Sequence, residues 1–152
     1  EALGIARTKV PDVSRATFVP ADVFTWVPSQ QFDVVAFGFW LPHVPPQRFE
    51  DFWHLVRRAL RPEGRVFFLD NSVRVEQAAS ANGRRAETPW SRTWLDQGVS
   101  VRTLADGRQF RIVKRAWEPA ELERELDALG WTAVVRAHQQ LFIHGEAVPK
   151  TP

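Results

Sequence analysis

Two short apolar runs on either side of an amphipathic stretch set the terms for the rest of this chain. Residues 32–41, Phe-Asp-Val-Val-Ala-Phe-Gly-Phe-Trp-Leu, are almost continuously apolar after Asp33. A run this short without alternation fits a strand of a parallel sheet covered on both faces. Pro45 and Pro46 open the next stretch, and proline suits a first helical turn, where its missing N–H is not needed. Phe49, Phe52, Trp53, Val56 and Leu60 then recur at helical spacing, with Arg48, Glu50, Asp51, Arg57 and Arg58 on the solvated side. Pro62, Glu63 and Gly64 predict the helix stop. Residues 65–70, Arg-Val-Phe-Phe-Leu-Asp, predict a second buried strand that ends on a carboxylate. Strand, helix and strand in this order make one right-handed crossover unit. Ligands of such sheets gather at the carboxyl ends of the strands, so chemistry is expected at residues 38–43 and 70–72.

The totals remove several classes of function. Lys and Arg number 20 against 18 Asp and Glu, a balance that gives little support to nucleic-acid binding. The absence of Cys removes disulfides, thiolate catalysis and zinc–cysteine sites. No apolar run approaches the roughly 20 residues that span a bilayer, and no signal peptide stands at the start. A cytoplasmic protein acting without membrane or nucleic acid is therefore expected. At 152 residues and 44% hydrophobic, the chain is one domain or a large part of one. It holds no Met and opens inside what reads as a helix over residues 1–9, with Leu3 and Ala6 as inner positions; further residues are expected before Glu1.

Elsewhere, residues 15–19 read as a strand. Residues 71–97 are polar with scattered apolar anchors and read either as a lid or as a disordered segment, part of it helical at 75–81. Residues 99–104 and 109–117 alternate apolar with polar around Asp106-Gly107, a hairpin signal whose alternation leaves one face solvated. Pro119 opens a helix over 120–129 with Leu122, Leu126 and Leu129 inward and Gly130 as its stop. Residues 131–136 and 140–144 predict a last strand pair, and the tail from 146 onward is expected to fray.

Taken in order, the runs FVPADVFTW, FDVVAFGFWLPHVP, FWHLVRRALRPEGRVFFLD and ELDALGW resemble the class I S-adenosylmethionine-dependent methyltransferases, the small-molecule branch in particular, over residues 1–145. The resemblance implies an α/β fold: a Rossmann-like methyltransferase sheet, mostly parallel with antiparallel last strands and an extra β-hairpin, its first two strands missing from this chain. It implies S-adenosylmethionine as cofactor and methyl transfer to a small-molecule acceptor as part of a longer chain. The alternative is a non-catalytic, cofactor-less interaction module on the same sheet. In the family pattern Asp22 takes the adenine amino group, Val23 and Phe24 adjoin it, and Phe37, Gly38 and Phe39 line the methionine part of the cofactor. No G-x-G-x-x-G-like run occurs, so the Gly-rich cofactor loop and the ribose-binding acid are expected before Glu1. Sheet edges bared in this way predict a homo-oligomer or another partner along them.

His43 follows the first strand's carboxyl end and is the candidate base; its structural alternative is a hydrogen bond to the Pro45-Pro46 turn. Asp70 is the second catalytic candidate, facing an acceptor hydroxyl or amine, against a role as cap or as partner of a cation. Trp40, Trp90 and Trp94 are candidates for the walls of the acceptor site, with core packing and loop anchoring as alternatives. Trp53 reads as core. His138 and His144 lack a third ligand at metal spacing, and no metal is expected.

Overall fold

The computed structural model describes residues 2–73, 99–104, 106–139 and 141–151. Its elements run α1 (Ala2–Lys9), β1 (Phe32–Gly38), α2 (Phe49–Ala59), β2 (Leu60–Asn71), β3 (Val99–Thr103), β4 (Gln109–Val113), α3 (Pro119–Ala128), β5 (Trp131–His138) and β6 (Phe142–Pro149). The main sheet has the order β1-β2-β6-β5, and β3 with β4 forms a separate two-stranded hairpin. β1 and β2 are parallel, joined through α2, while β6 runs antiparallel to both its neighbours. The sheet is thus mixed, with its parallel part confined among the described residues to the predicted crossover unit.

Apolar spacing on α2 decides where the core lies. Phe49, Phe52, Trp53, Leu55, Val56 and Ala59 are all buried, and they pack on the sheet face that carries Val66, Phe68, Trp131, Val135, Ile143 and Ala147. α3 adds Leu122 and Leu126 to the same face. Trp53, at 0% exposure, meets Phe37, Phe68 and Trp131 edge-on at centroid distances of 6.0, 6.3 and 5.0 Å. A Cβ placed at Gly145 would enter the Phe68 ring, so that strand position is glycine because an aromatic ring fills the space beside it.

Arg57 departs from the solvated role its helical position suggested. Its guanidinium donates to the carbonyls of Gly130 at 2.6 Å and Leu129 at 3.2 Å, and lies 4.9 Å from the Trp131 ring centroid. It thereby satisfies carbonyls at the carboxyl end of α3, where the helix has no internal donors left and a cation is favoured. Gly130 turns the chain there at φ 77.

Several expectations are corrected. None of the seven β1 residues is buried, and Val34 is 54% exposed; the run is a strand, but an edge strand, with no described strand on its outer side. Residues 15–19 form no strand. Asp12 instead caps a single 3-10 turn, Val13–Arg15, and the extended backbone after it finds no partner among the described residues. α2 ends at Ala59 rather than at Pro62, and Leu60 is already extended. The residue before proline avoids helical backbone, so the chain straightens early and β2 begins ahead of Pro62. The tail is not frayed where expected: β6 continues to Pro149, paired with β5, and Ala147 is 1% exposed. Leu3 on α1 is 37% exposed, so that helix has no buried face there. The helical reading of 75–81 falls outside the described residues.

Candidate active site

The carboxyl ends of β1 and β2 lie side by side because the two strands are parallel neighbours. Phe39 keeps the last ladder bond, its N–H donating to the Leu69 carbonyl at 2.8 Å. It then takes φ 55, a left-handed value that costs a bulky residue roughly 1–2 kcal/mol. Its ring is 50% exposed and stands edge-on to Phe142 at 6.2 Å. A strained backbone presenting a half-bare aromatic ring is a feature of binding sites more than of cores.

Beyond Phe39 the chain makes a 3-10 turn, Leu41–His43, with Leu41 and Pro42 buried. The His43 Nδ1 lies 2.8 Å from the Val113 carbonyl oxygen. A carbonyl only accepts, so this contact assigns the proton to Nδ1 and leaves Nε2 of the neutral ring as the basic nitrogen. The Arg115 N–H donates to the Pro42 carbonyl at 2.8 Å. These two bonds dock the end of β4 onto the turn after β1, which is a different bond from the predicted alternative at Pro45-Pro46.

Asp70, at 1% exposure, sits behind that turn. Burial pushes its carboxyl up from 3.8 to about 6, against the pull of the backbone N–H groups of Asn71, Leu41 and Trp40 and the charge of Lys114. Its Oδ1 accepts from the Asn71 N–H at 2.9 Å, and its Oδ2 has no hydrogen-bond partner among the described residues. Enclosed in this way, the carboxylate faces the turn that carries Trp40 and Leu41 rather than open solvent.

The segment expected to hold adenine forms a tight turn. Asp22 accepts the Phe24 N–H on Oδ1 at 2.9 Å, and its carbonyl accepts from Thr25 and Trp26 at 3.1 and 2.8 Å. Phe24 is 6.3 Å from Trp40 in centroid distance, and the Arg48 guanidinium lies 4.5 Å from its ring centroid. Val23, Phe37 and Trp40 line one apolar cavity of ≈ 430 Å³ together with Trp26, Val35 and Phe52. The structure therefore brings Val23, Phe24, Phe37 and Trp40 together, with Asp22 at the adjoining turn. Phe39 and Gly38 stand at the other side of the strand end. A Cβ at Gly38 would make only an ordinary 3.7 Å contact with the Leu69 carbonyl, so space does not demand glycine there. Trp90 and Trp94 lie outside the described residues. Among the described residues no group of three or more His, Cys, Asp or Glu side chains is arranged to hold a metal, and no helix is long and apolar enough to cross a membrane.

This donor set fits the adenine end of S-adenosylmethionine. Asp22 keeps a second carboxylate oxygen for an amino group, and the adjacent cavity is apolar and bordered by aromatic rings. Two neighbours of the site had no sequence signal. Val113 contributes only a carbonyl, and Phe142 comes beside Phe39 only through the β5–β6 register.

The methyltransferase-domain family model matches residues 1–68. Among solved structures, the DhpI-SAH complex is 37% identical with a TM-score of 0.71, covering 90% of this chain and 56% of that one. The DhpI-SAM-HEP complex is 34% identical with a TM-score of 0.75, covering 97% and 63%. The glycopeptide N-methyltransferase MtfA, 15% identical with a TM-score of 0.64 over 97% of this chain, shares the fold. No curated protein matches. Fold, family match and relatives agree: the chain belongs to the class I S-adenosylmethionine-dependent methyltransferases. It spans 56% to 63% of the length of the DhpI chains.

Proposed function

We propose that this chain builds the adenine wall and the acceptor side of a site for S-adenosylmethionine-dependent methyl transfer to a small molecule. The observation that carries the reading is the convergence of Asp22, Val23, Phe24, Phe37 and Trp40 at the carboxyl end of β1. When bound, the cofactor supplies a methyl group already activated on a sulfonium, so the protein's task is orientation, exclusion of water and removal of a proton.

Each residue then has a stated part. Asp22 accepts the adenine amino group, while Val23 and, in place of the methionine and acceptor parts expected of them from the sequence, Phe37 and Trp40 wall the ring in the shared cavity. Phe39 presents its ring at the reacting end. His43 takes the acceptor's proton on Nε2, because Nδ1–H is already donated to Val113. Asp70 positions the Trp40–Leu41 backbone from behind the turn. The floor under the cofactor comes from a further segment of the native protein along the edge of β1 that no described strand covers, since no Gly-rich loop occurs in this sequence. A small-molecule acceptor is supported by the DhpI complex, whose name pairs SAM with HEP.

The test separates the two nitrogens of His43. In His43→Asn the side-chain amide retains a donor for Val113 but no base, whereas His43→Gln places its polar group near the Nε2 position. With HEP as first probe, His43→Asn should fold, bind S-adenosylhomocysteine and lose roughly 10²-fold or more in kcat. Full activity in His43→Asn would remove the base from this account. A second reading rests on the exposed β1 edge: a cofactor-less interaction module, which predicts a stable oligomer that binds no S-adenosylhomocysteine.

A further inference from the structure

The face of the sheet opposite α2 and α3 carries an unassigned corner of one arginine and two histidines at the same end as the candidate site. Val135 and Ile143 are buried on the helix side, so by strand alternation Arg136, His138, Phe142 and His144 point to the other side. Register places them together: Arg136 is opposite His144, His138 is opposite Phe142, and on the next strand Leu69 and Asn71 face His144 and Phe142. β5 ends and β6 begins where β2 ends, so the corner adjoins the carboxyl ends of the parallel pair. The Phe39–Phe142 ring contact makes it continuous with the turn that carries His43.

The side chains of Arg136, His138 and His144 have no hydrogen-bond, ion-pair or ring partner among the described residues. Arg65 and Glu146 also lie on this face, and Glu146 stands two residues beyond His144, opposite Val134. One guanidinium and two imidazoles around an aromatic ring, without partners among the described residues and next to a strand-end site, match an oxyanion on a small organic body. Arginine's fork offers two parallel donors to such a group, and Phe142 gives the body a flat contact.

We propose that this corner is the acceptor subsite and that the acceptor carries an oxyanion, carboxylate or phosphate in type. Arg136, with His138 and His144, binds that group. Phe142 and Phe39 steer the rest of the molecule towards His43. The acceptor role rests on the methyl-transfer reading; the anion site does not.

Inorganic phosphate is the probe, titrated into the chain while histidine side-chain NMR signals are followed. Saturable shifts are expected at His138 and His144, with none at His54 on α2. Arg136→Ala, an exposed strand position, should weaken binding roughly tenfold, the scale of one charge-assisted hydrogen bond. Glu146→Gln should tighten it by removing the nearby acid. Unsaturable shifts, equal shifts at all histidines, or an unchanged affinity in Arg136→Ala would overturn the proposal. S-adenosylhomocysteine calorimetry on the same samples keeps the two readings apart. Cofactor binding without phosphate binding removes this subsite and leaves methyl transfer standing. Phosphate binding without cofactor binding removes the acceptor role.

Discussion

Phe39 concentrates the strain of the site in one residue. Its φ of 55 suits glycine, while its ring earns contact with Phe142. Comparing Phe39→Ala with Phe39→Gly isolates the backbone, since both lose the ring and only glycine adopts that φ freely. Chemical denaturation should find the glycine variant more stable by about 1 kcal/mol; equal stability would mean that the turn relaxes without cost. Asp70 gives a pH signature. Its folded carboxyl titrates near 6, above the ordinary 3.8, so its contribution to stability is fully present below about pH 4 and is lost as pH rises through about 6. Urea midpoints should therefore fall between these limits, by up to about 3 kcal/mol in unfolding free energy. Asp70→Asn should flatten that slope, and an unchanged slope would exclude Asp70 as its source. At this scale position and family pattern are enough to name His43, Asp70 and Asp22 as candidates. What His43 bonds to could not be read in this way, because Val113 lies 70 residues away and offers only backbone.

Among the elements, α2 was legible because six buried side chains fall on one helical face, and its register fixes Trp53 against both halves of the sheet. Trp53→Ala should cost roughly 3–5 kcal/mol. Trp53→Phe should cost clearly less, because the indole N–H has no partner among the described residues and its removal breaks no bond. A phenylalanine variant as unstable as the alanine one would contradict this packing account. The errors at element ends have local causes. The pre-proline residue straightened the chain before Pro62, and the last strand ran past residue 144 because β5 supplied a partner as far as Pro149. Residues 15–19 carried strand-like side chains without a partner, and side-chain preference alone does not make a strand. β1 read as doubly covered because its composition answers to a fully layered sheet. The described residues cover only its α2 side.

For the molecule as a whole, two faces of one sheet divide the labour. The helix side holds the core and, at the β1 margin, the apolar cavity beside Asp22. The opposite side carries Val34 and Phe67, 54% and 44% exposed, near β1, and the Arg136–His138–His144 corner near β5. Family membership was legible from the order of short motifs along the chain; the β6 register and the exposed face that it populates required coordinates. The central claim is that Asp22 and the neighbouring aromatic cavity hold the adenine of S-adenosylmethionine, and calorimetry of S-adenosylhomocysteine binding by the native protein tests it most directly. The account predicts micromolar binding that Asp22→Ala weakens roughly tenfold, the cost of one hydrogen bond to a charged acceptor, with the fold unchanged by circular dichroism. Absence of binding by folded protein, or binding indifferent to Asp22→Ala, would contradict it.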